Sequence, residues 1–179
     1  MTPAVTWGLL VAWVIHDAEE FLAVPWWSAR LPRLRARHPR VPGRLWSLIA
    51  PGRIESGVAI GIIGIAMAVA AARGAATAGR SDYFQLMLLG FGWHAVTHLA
   101  MSAVARGYTP GVVTAVILVA PFSLWAWHRL GEAGLSHPVD PAEIGLIFVL
   151  LPVVLGGSRW IGRLVESRMA ARGEPTASQ

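Results

Sequence analysis

Residues 5–25 read VTWGLLVAWVIHDAEEFLAVP, an apolar run long enough to cross a bilayer. Its middle holds one histidine and three carboxylates: His16, Asp17, Glu19 and Glu20. An ionisable group at membrane depth costs about 2.5 to 3.5 kcal/mol on insertion scales, so such groups are rare there unless they are paired, hydrated or bound to an ion. This cluster is therefore the leading candidate for a functional site.

The composition of the whole chain is that of a membrane protein. Of its 179 residues, 55% are hydrophobic and only 14% are charged, against roughly 25% charged residues in an average soluble domain. The chain has no cysteine, which excludes disulfides and thiolate metal sites. Histidine and carboxylate side chains must therefore supply any metal ligands.

Four further apolar blocks follow the first, and each approaches the 20 or so residues that a helix needs to cross the hydrocarbon core. Unpaired backbone groups are costly in lipid, which excludes an open sheet. The sequence predicts an all-α, polytopic membrane bundle of about five transmembrane helices in one domain, residues 1–165, with a polar, disordered cytoplasmic tail at 166–179. The predicted spans are Val5–Pro25, Ile54–Ala72, Tyr83–Ala105, Pro110–Leu130 and Ala142–Ile161.

The arginines are distributed unevenly between the two sides of this predicted bundle. Arginines in short loops mark the cytoplasmic side of a membrane protein, and only Arg73, Arg80 and Arg129 would lie outside. The sequence therefore predicts a multi-pass protein of the cell (inner) membrane with its N-terminus outside and its C-terminus in the cytoplasm. The arginines on the cytoplasmic side would be Arg30, Arg33, Arg35, Arg37, Arg40, Arg44, Arg53, Arg106, Arg159, Arg163, Arg168 and Arg172.

The first loop, residues 26–52, is rich in proline as well as arginine. A proline inside a helix removes a backbone hydrogen bond and kinks or breaks the helix, so we expect no long regular helix through this loop. Its charge suits the headgroups of the lipid bilayer. A nucleic-acid partner is not expected, and a homo-oligomer is compatible with the sequence.

Two helix faces carry the candidate metal-binding and catalytic residues. His16 and Glu20 are four residues apart and Glu19 is three residues from His16, so one face of the first helix offers an imidazole and two carboxylates. In the third span His94 and His98 are also four residues apart. Glu20 and His98 lie at depths that differ by only about 4 to 5 Å at the helical rise, which predicts a shared site in the cytoplasmic half of the bundle.

We expect this site to bind a divalent metal, and without sulfur ligands it suits Zn, Fe or Mn. Bridging carboxylates would also allow two metal ions, as in helical di-iron bundles. The expected metal ligands are His16, Glu20, His94 and His98. Glu19 and Glu20 are the expected catalytic residues, and no separate cofactor-binding residue is predicted. Further outer members of the site would be Asp17, Glu55, Ser102 and Thr114.

Three functions fit such a cluster. The first is a metal-dependent membrane enzyme, a hydrolase or an oxidoreductase, that acts on a lipid-soluble molecule entering from the bilayer. In the second, a proton-coupled carrier uses the histidines and glutamates as a proton relay. The third is a non-enzymatic membrane protein in which hydrogen-bonded pairs fix the register of the helices.

The order of these residues along the chain resembles a known family. His16, Glu19 and Glu20 in a first span are followed by His98 and Ser102, and this order resembles the HXXEE domain family of small bacterial and archaeal membrane proteins. The resemblance covers roughly Trp7 to Trp127 and implies a prokaryotic membrane protein. Because the family is uncharacterised, it implies no reaction. The later residues that resemble the family are Arg106, Tyr108, Pro110, Gly111 and Thr114.

The segment from Arg106 to Gly111 resembles the R-x-Y-x-P-G turn of that family. We interpret it as structural, with Arg106 capping the third helix at its negative end and Pro110 opening the fourth helix. Thr114 then lies one turn into the fourth span, where its hydroxyl would reach the site.

This chain departs from the family pattern at one position. The family often has asparagine where this chain has His94, so the resemblance implies that His98, rather than His94, is the obligatory ligand of the third span.

Overall fold

The computed structural model describes residues 3–39, 43, 52–136 and 141–172. In this part of the chain five helices follow one another, and it contains no strand. The helices are α1 (Pro3–Arg37), α2 (Arg53–Ala76), α3 (Asp82–Ala105), α4 (Val112–Glu132) and α5 (Pro141–Ala171).

The all-α class is confirmed for the described residues. By length and composition, α2, α3 and α4 are each able to cross a membrane. The first helix carries three carboxylates in its middle, so its place in the bilayer depends on how these groups are paired. That all five helices span the membrane stays a prediction.

The first helix is much longer than the sequence indicated. It continues through Pro25 and Pro32 to Arg37, so the expectation that no long helix enters the first loop was wrong for this segment. The two prolines are seven residues apart and both are exposed, so their rings lie on one outer face. The opposite face keeps the extension helical, because Trp27, Leu31 and Leu34 are buried there. Residues 40–42 and 44–51 of this loop lie outside the described residues.

The chain reverses direction in the turn between α3 and α4, and this turn lies beside the predicted site. Arg106 ends α3 in a left-handed conformation with φ of 49°, as expected for a cap position. Helix α4 begins at Val112 after Gly111, whose φ is 80°. Pro110 therefore lies in the turn, two residues before the helix that it was expected to open.

Helix α4 is irregular directly after its first turn. Residues Ala115–Val119 form a π-helical turn, in which the Ala120 N–H binds the Ala115 carbonyl. Pro121 follows and has no N–H to donate, which favours the wider hydrogen-bond pattern. Ala115 and Val119 are fully buried, whereas Val116 and Ile117 are exposed, so one side of the irregular segment faces the bundle interior.

A core of aliphatic, aromatic and small side chains packs the helices together. Helix α2 lies between α1 and α5, and α3 lies against α2 and α4. Close approach of α1 and α2 depends on Gly64, since a Cβ at that position would lie 2.7 Å from Cη2 of Trp13. Near the turn that joins α2 to α3, the Tyr83 hydroxyl donates to the Ala66 carbonyl at 3.2 Å.

The last helix extends to Ala171. Residues 166–171, which the sequence assigned to a disordered tail, are therefore helical. Residues 173–179 lie outside the described residues, and the division into a bundle domain and a tail stays a prediction.

The contact between Gly64 and Trp13 predicts a specific loss of stability. Gly64→Leu should lower the free energy of unfolding by about 1 to 3 kcal/mol, the usual cost of overpacking a filled core. Gly61→Leu, on the same helix, is the matched control because Gly61 is exposed and a Cβ there meets no atom within 4 Å. Thermal unfolding in detergent measures both variants, and equal losses would contradict the assigned packing.

Candidate metal centre

Four side chains from two helices converge inside the bundle. His16 and Glu20 of α1 and His94 and His98 of α3 each offer one ligand atom, and these atoms all lie within 4.8 Å of one another. All four expected metal ligands are thus brought together, including His94. Helical periodicity accounts for this, since each pair is spaced by four residues on one face of its helix.

The Oε1 atom of Glu20 lies at the centre of the group. It is 2.8 Å from Nε2 of His98, 3.5 Å from Nε2 of His16 and 3.6 Å from Nε2 of His94. The Nε2 atoms of His98 and His94 are themselves 2.9 Å apart. Ligand atoms around a tetrahedral Zn²⁺ with bonds of about 2.0 to 2.1 Å are separated by roughly 3.3 Å. The spacings in the cluster, from 2.8 Å to within 4.8 Å, bracket this separation.

A buried donor atom without a partner also fits a metal. Nε2 of His16 is buried and forms no hydrogen bond, although it lies beside Glu20. A buried polar atom that stays unpaired costs about 1 to 3 kcal/mol, and a metal ion would use its lone pair. Nδ1 of His98 is likewise buried without a hydrogen-bond partner.

Glu19 points away from the four ligands and binds the start of α4. Its Oε2 accepts hydrogen bonds from the backbone N–H of Thr114 at 2.8 Å and from the Thr114 hydroxyl at 2.6 Å. Its Oε1 accepts from the Tyr108 hydroxyl at 2.9 Å and from the Val113 N–H at 3.4 Å. The Thr114 hydroxyl in turn lies 2.8 Å from Nδ1 of His16, so Thr114 connects Glu19 to the four-residue cluster.

Tyr108 holds its position through contacts on both sides. Burial, and then the hydrogen bond to Glu19, raise the pKa of Tyr108 to about 12, so its hydroxyl is protonated and donates at neutral pH. Its ring stands edge-on to Trp26 with centroids 5.1 Å apart, and the Arg30 guanidinium lies 5.0 Å above the Trp26 ring. From the sequence, Tyr108 is predicted only as part of a turn, although its place in the R-x-Y-x-P-G motif was the signal that could have assigned it to the site.

Gly111 closes the site from the side of α4. A Cβ at this residue would lie 2.8 Å from Oε1 of Glu20, 2.8 Å from Cε1 of His98 and 2.9 Å from Cε1 of His16. Any larger residue would therefore occupy the space where the ligands meet. Its φ of 80° is also a conformation that glycine adopts without strain.

The outer members that the sequence suggested have different neighbours. Thr114 forms a hydrogen bond with His16, one of the four expected ligands. The Ser102 hydroxyl pairs with the buried Thr109 at 2.7 Å. Asp17 is buried next to the cluster on α1 and feels the charge of Glu20, but the four-residue cluster does not include it.

Glu55 lies at the interface between α2 and α5. Its Oε2 is 3.9 Å from Nε of Arg159 and accepts the Gly52 N–H at 3.3 Å. A Cβ at Gly162 would lie 3.1 Å from the Cα of Glu55, so the two helices touch closely there. Glu55 therefore caps α2 and anchors α5, and the four-residue cluster does not include it.

The fold and this centre define a helical protein of membrane type whose histidine and carboxylate cluster could hold a metal ion. The chain belongs to a family of proteins of unknown function with an HXXEE motif, whose family model matches residues 7–126. In this chain the motif is formed by His16, Glu19 and Glu20, which confirms the resemblance seen in the sequence. No curated protein and no solved structure matches the chain.

The position of Gly111 predicts a site-specific cost of adding a methyl group. Gly111→Ala and Gly134→Ala both place alanine at positive φ, which costs roughly 1 to 2 kcal/mol. Of these two variants, Gly111→Ala also collides with the expected ligands, whereas a Cβ added at Gly134 would meet no atom within 4 Å. Thermal unfolding should show a clearly larger loss for Gly111→Ala, and equal losses would mean that the turn does not pack on the cluster.

Proposed function

We propose that this chain is an integral membrane protein of five spans that binds one divalent transition metal, Zn, Fe or Mn, through His16, Glu20, His94 and His98. As such it acts as an enzyme on a lipid-soluble substrate. The observation that carries the proposal is the convergence of these four donors from two helices. A metal held there would supply a Lewis acid or an activated water, and hydrolysis and oxidation–reduction both fit the ligand set.

The chemical environment of the cluster supports a metal over a purely structural role. Three imidazoles surround a single carboxylate oxygen, so only part of their hydrogen-bonding capacity is used within the group. The two unpaired nitrogens of His16 and His98 leave the network incomplete. Partly satisfied polar networks in an apolar interior are costly, and a bound cation removes that cost for His16.

An open side of the cluster supports a substrate that arrives from the bilayer. The side chains of His16 and His98 are 0% and 7% exposed, whereas those of Glu20 and His94 are 26% and 35% exposed. His94 lies eleven residues after Tyr83, about three helical turns along the same face of α3. Tyr83 contacts α2 at Ala66, whereas His94 keeps about a third of its side chain exposed, so the exposed side of the cluster is the side of His94 and Glu20.

The two carboxylates of the motif then have different tasks. Glu20 faces the exposed side, where it both ligates the metal and is placed to accept a proton from a bound molecule. The carboxylate oxygens of Glu19 accept four hydrogen bonds from the turn and the start of α4. Glu19 is therefore directed away from the exposed side of the cluster.

The distribution of charge supports the five-span orientation. Contacts place the C-terminal part of α1, the start of α2, the end of α3 and the C-terminal part of α5 at one end of the bundle. Arg30 approaches Gly107, Arg53 lies over Phe21, and Arg159 pairs with Glu55. This arginine-rich end is the cytoplasmic end by the rule for loop charges.

Metal content tests the proposed site. Protein purified in detergent, stripped with chelator and reloaded separately with Zn²⁺, Mn²⁺ or anaerobic Fe²⁺ should retain one ion per chain for at least one of these metals. His98→Ala should weaken binding by more than about 100-fold, since loss of an outer partner alone costs about 10 to 100-fold. The matched control is His128→Ala, because His128 is exposed and pairs only with Glu132 among the contacts shown.

Two results would contradict this proposal. If carefully loaded wild-type protein retains none of the three metals, the cluster is a hydrogen-bonded polar network or a proton relay. If His128→Ala weakens binding as much as His98→Ala, the metal is bound elsewhere.

Cysteine labelling tests the five spans, and it is direct because the chain has no cysteine. An impermeant maleimide applied to intact cells should label Ala4→Cys and Ser136→Cys, which are exposed at the outer end. Ala36→Cys and Ala171→Cys, exposed at the arginine-rich end, should react only after permeabilisation. Labelling of Ala4→Cys and Ala36→Cys from the same side would show that α1 does not cross the membrane.

A further inference from the structure

We propose that Glu19 is a positioning residue that acts through the Thr114 hydroxyl to fix His16 as the Nδ1–H tautomer, with its Nε2 lone pair directed at the cluster. The proposal deepens the metal site described above and rests on it for its functional meaning. In this proposal Glu19 is not catalytic. It orients the metal ligand His16 through Thr114, so the two glutamates of the motif have separate functions.

The hydrogen atoms around Thr114 determine the tautomer. A threonine hydroxyl has one proton to donate and can accept others. At 2.6 Å, the oxygen of Glu19 is its closest acceptor, and the Gly111 carbonyl is more distant at 3.3 Å. Because the hydroxyl proton is directed to Glu19, the 2.8 Å contact to His16 requires that Nδ1 of His16 carries the hydrogen.

The surroundings of Glu19 are those of an ionised carboxylate. All four groups that contact its oxygens are donors, from Tyr108, from the Val113 N–H and from the N–H and hydroxyl of Thr114. The two N–H groups lie in the first turn of α4, where backbone donors have no partner within the helix and the helix dipole favours negative charge. Glu19 therefore caps α4 from a different helix, which fixes the distance between α1 and Thr114.

The consequence is a metal-facing nitrogen that is free of hydrogen. With hydrogen on Nδ1, Nε2 of His16 presents a lone pair, and this is the buried atom that has no hydrogen-bond partner. Ligating histidines commonly donate their other ring hydrogen to an oxygen that orients the ring and raises its basicity. Glu19, Thr114 and His16 form such a chain, with a hydroxyl between the carboxylate and the imidazole.

The tautomer can be measured without any metal. In apo protein labelled with ¹⁵N-histidine, long-range proton–nitrogen correlations distinguish the two neutral forms, and the His16 signal is assigned by its loss in His16→Gln. Wild-type protein and Thr114→Ser should show His16 as Nδ1–H. Thr114→Val, which keeps the shape and removes the hydroxyl, should shift His16 towards a mixture with the Nε2–H form.

Zinc affinity then links the tautomer to the site. Thr114→Val should bind Zn²⁺ about 10 to 100-fold more weakly, the usual effect of losing an outer-shell partner, and Thr114→Ser should restore binding. Ser102→Ala is the matched control, because that hydroxyl pairs with Thr109 and not with a ligand. Glu19→Gln should weaken binding in the wild-type background but add little to Thr114→Val, since coupled residues are not additive.

Different results separate this inference from the proposed function. An Nε2–H tautomer in wild-type apo protein overturns the inference, and this holds even if Thr114→Val does not fold. Fully additive losses for Glu19→Gln and Thr114→Val would show that Glu19 does not act through Thr114. Absence of zinc binding together with the Nδ1–H tautomer would remove the proposed metal function and leave the positioning role intact.

Discussion

The site depends on the hydrogen bonds that join Glu19 of α1 to the first turn of α4. Through them the turn between α3 and α4 is held against α1, and His16 is brought opposite His98. Gly111 lies in the same turn and leaves the space in which the ligands meet. If this contact were lost, only the packing of the core would hold the turn between α3 and α4 against α1.

Placing ionisable groups at membrane depth is costly, and the structure reduces this cost in three ways. Glu19 is satisfied by donors of α4, and Glu20 is surrounded by three imidazoles. Glu55 pairs with Arg159 near the arginine-rich end. Among the described residues, the buried side-chain nitrogens without a hydrogen-bond partner belong to His16 and His98, so a cation would complete the cluster around Glu20 and not the pair formed by Glu55.

The sequence predicted those features that one helix determines by itself. The four-residue spacing put His16 beside Glu20 and His94 beside His98, and the helical rise placed both pairs at one depth. It did not predict how each helix is rotated against its neighbours, because that depends on packing. Glu55 therefore contacts Arg159 of α5 and Glu19 contacts α4, although the sequence predicted that Glu19 is catalytic and that Glu55 is an outer member of the site. The continuation of α1 through Pro25 and Pro32 was missed because burial of Trp27 and Leu31 outweighs the proline penalty.

The most direct measurement of the central claim is X-ray absorption of the zinc-loaded protein in detergent. We predict that the first coordination shell of the zinc holds three nitrogens and one oxygen at about 2.0 to 2.2 Å. Outer-shell scattering from imidazole rings should accompany it. One nitrogen should be missing in His98→Ala. A shell of water and carboxylate oxygens, without imidazole scattering, would contradict this prediction.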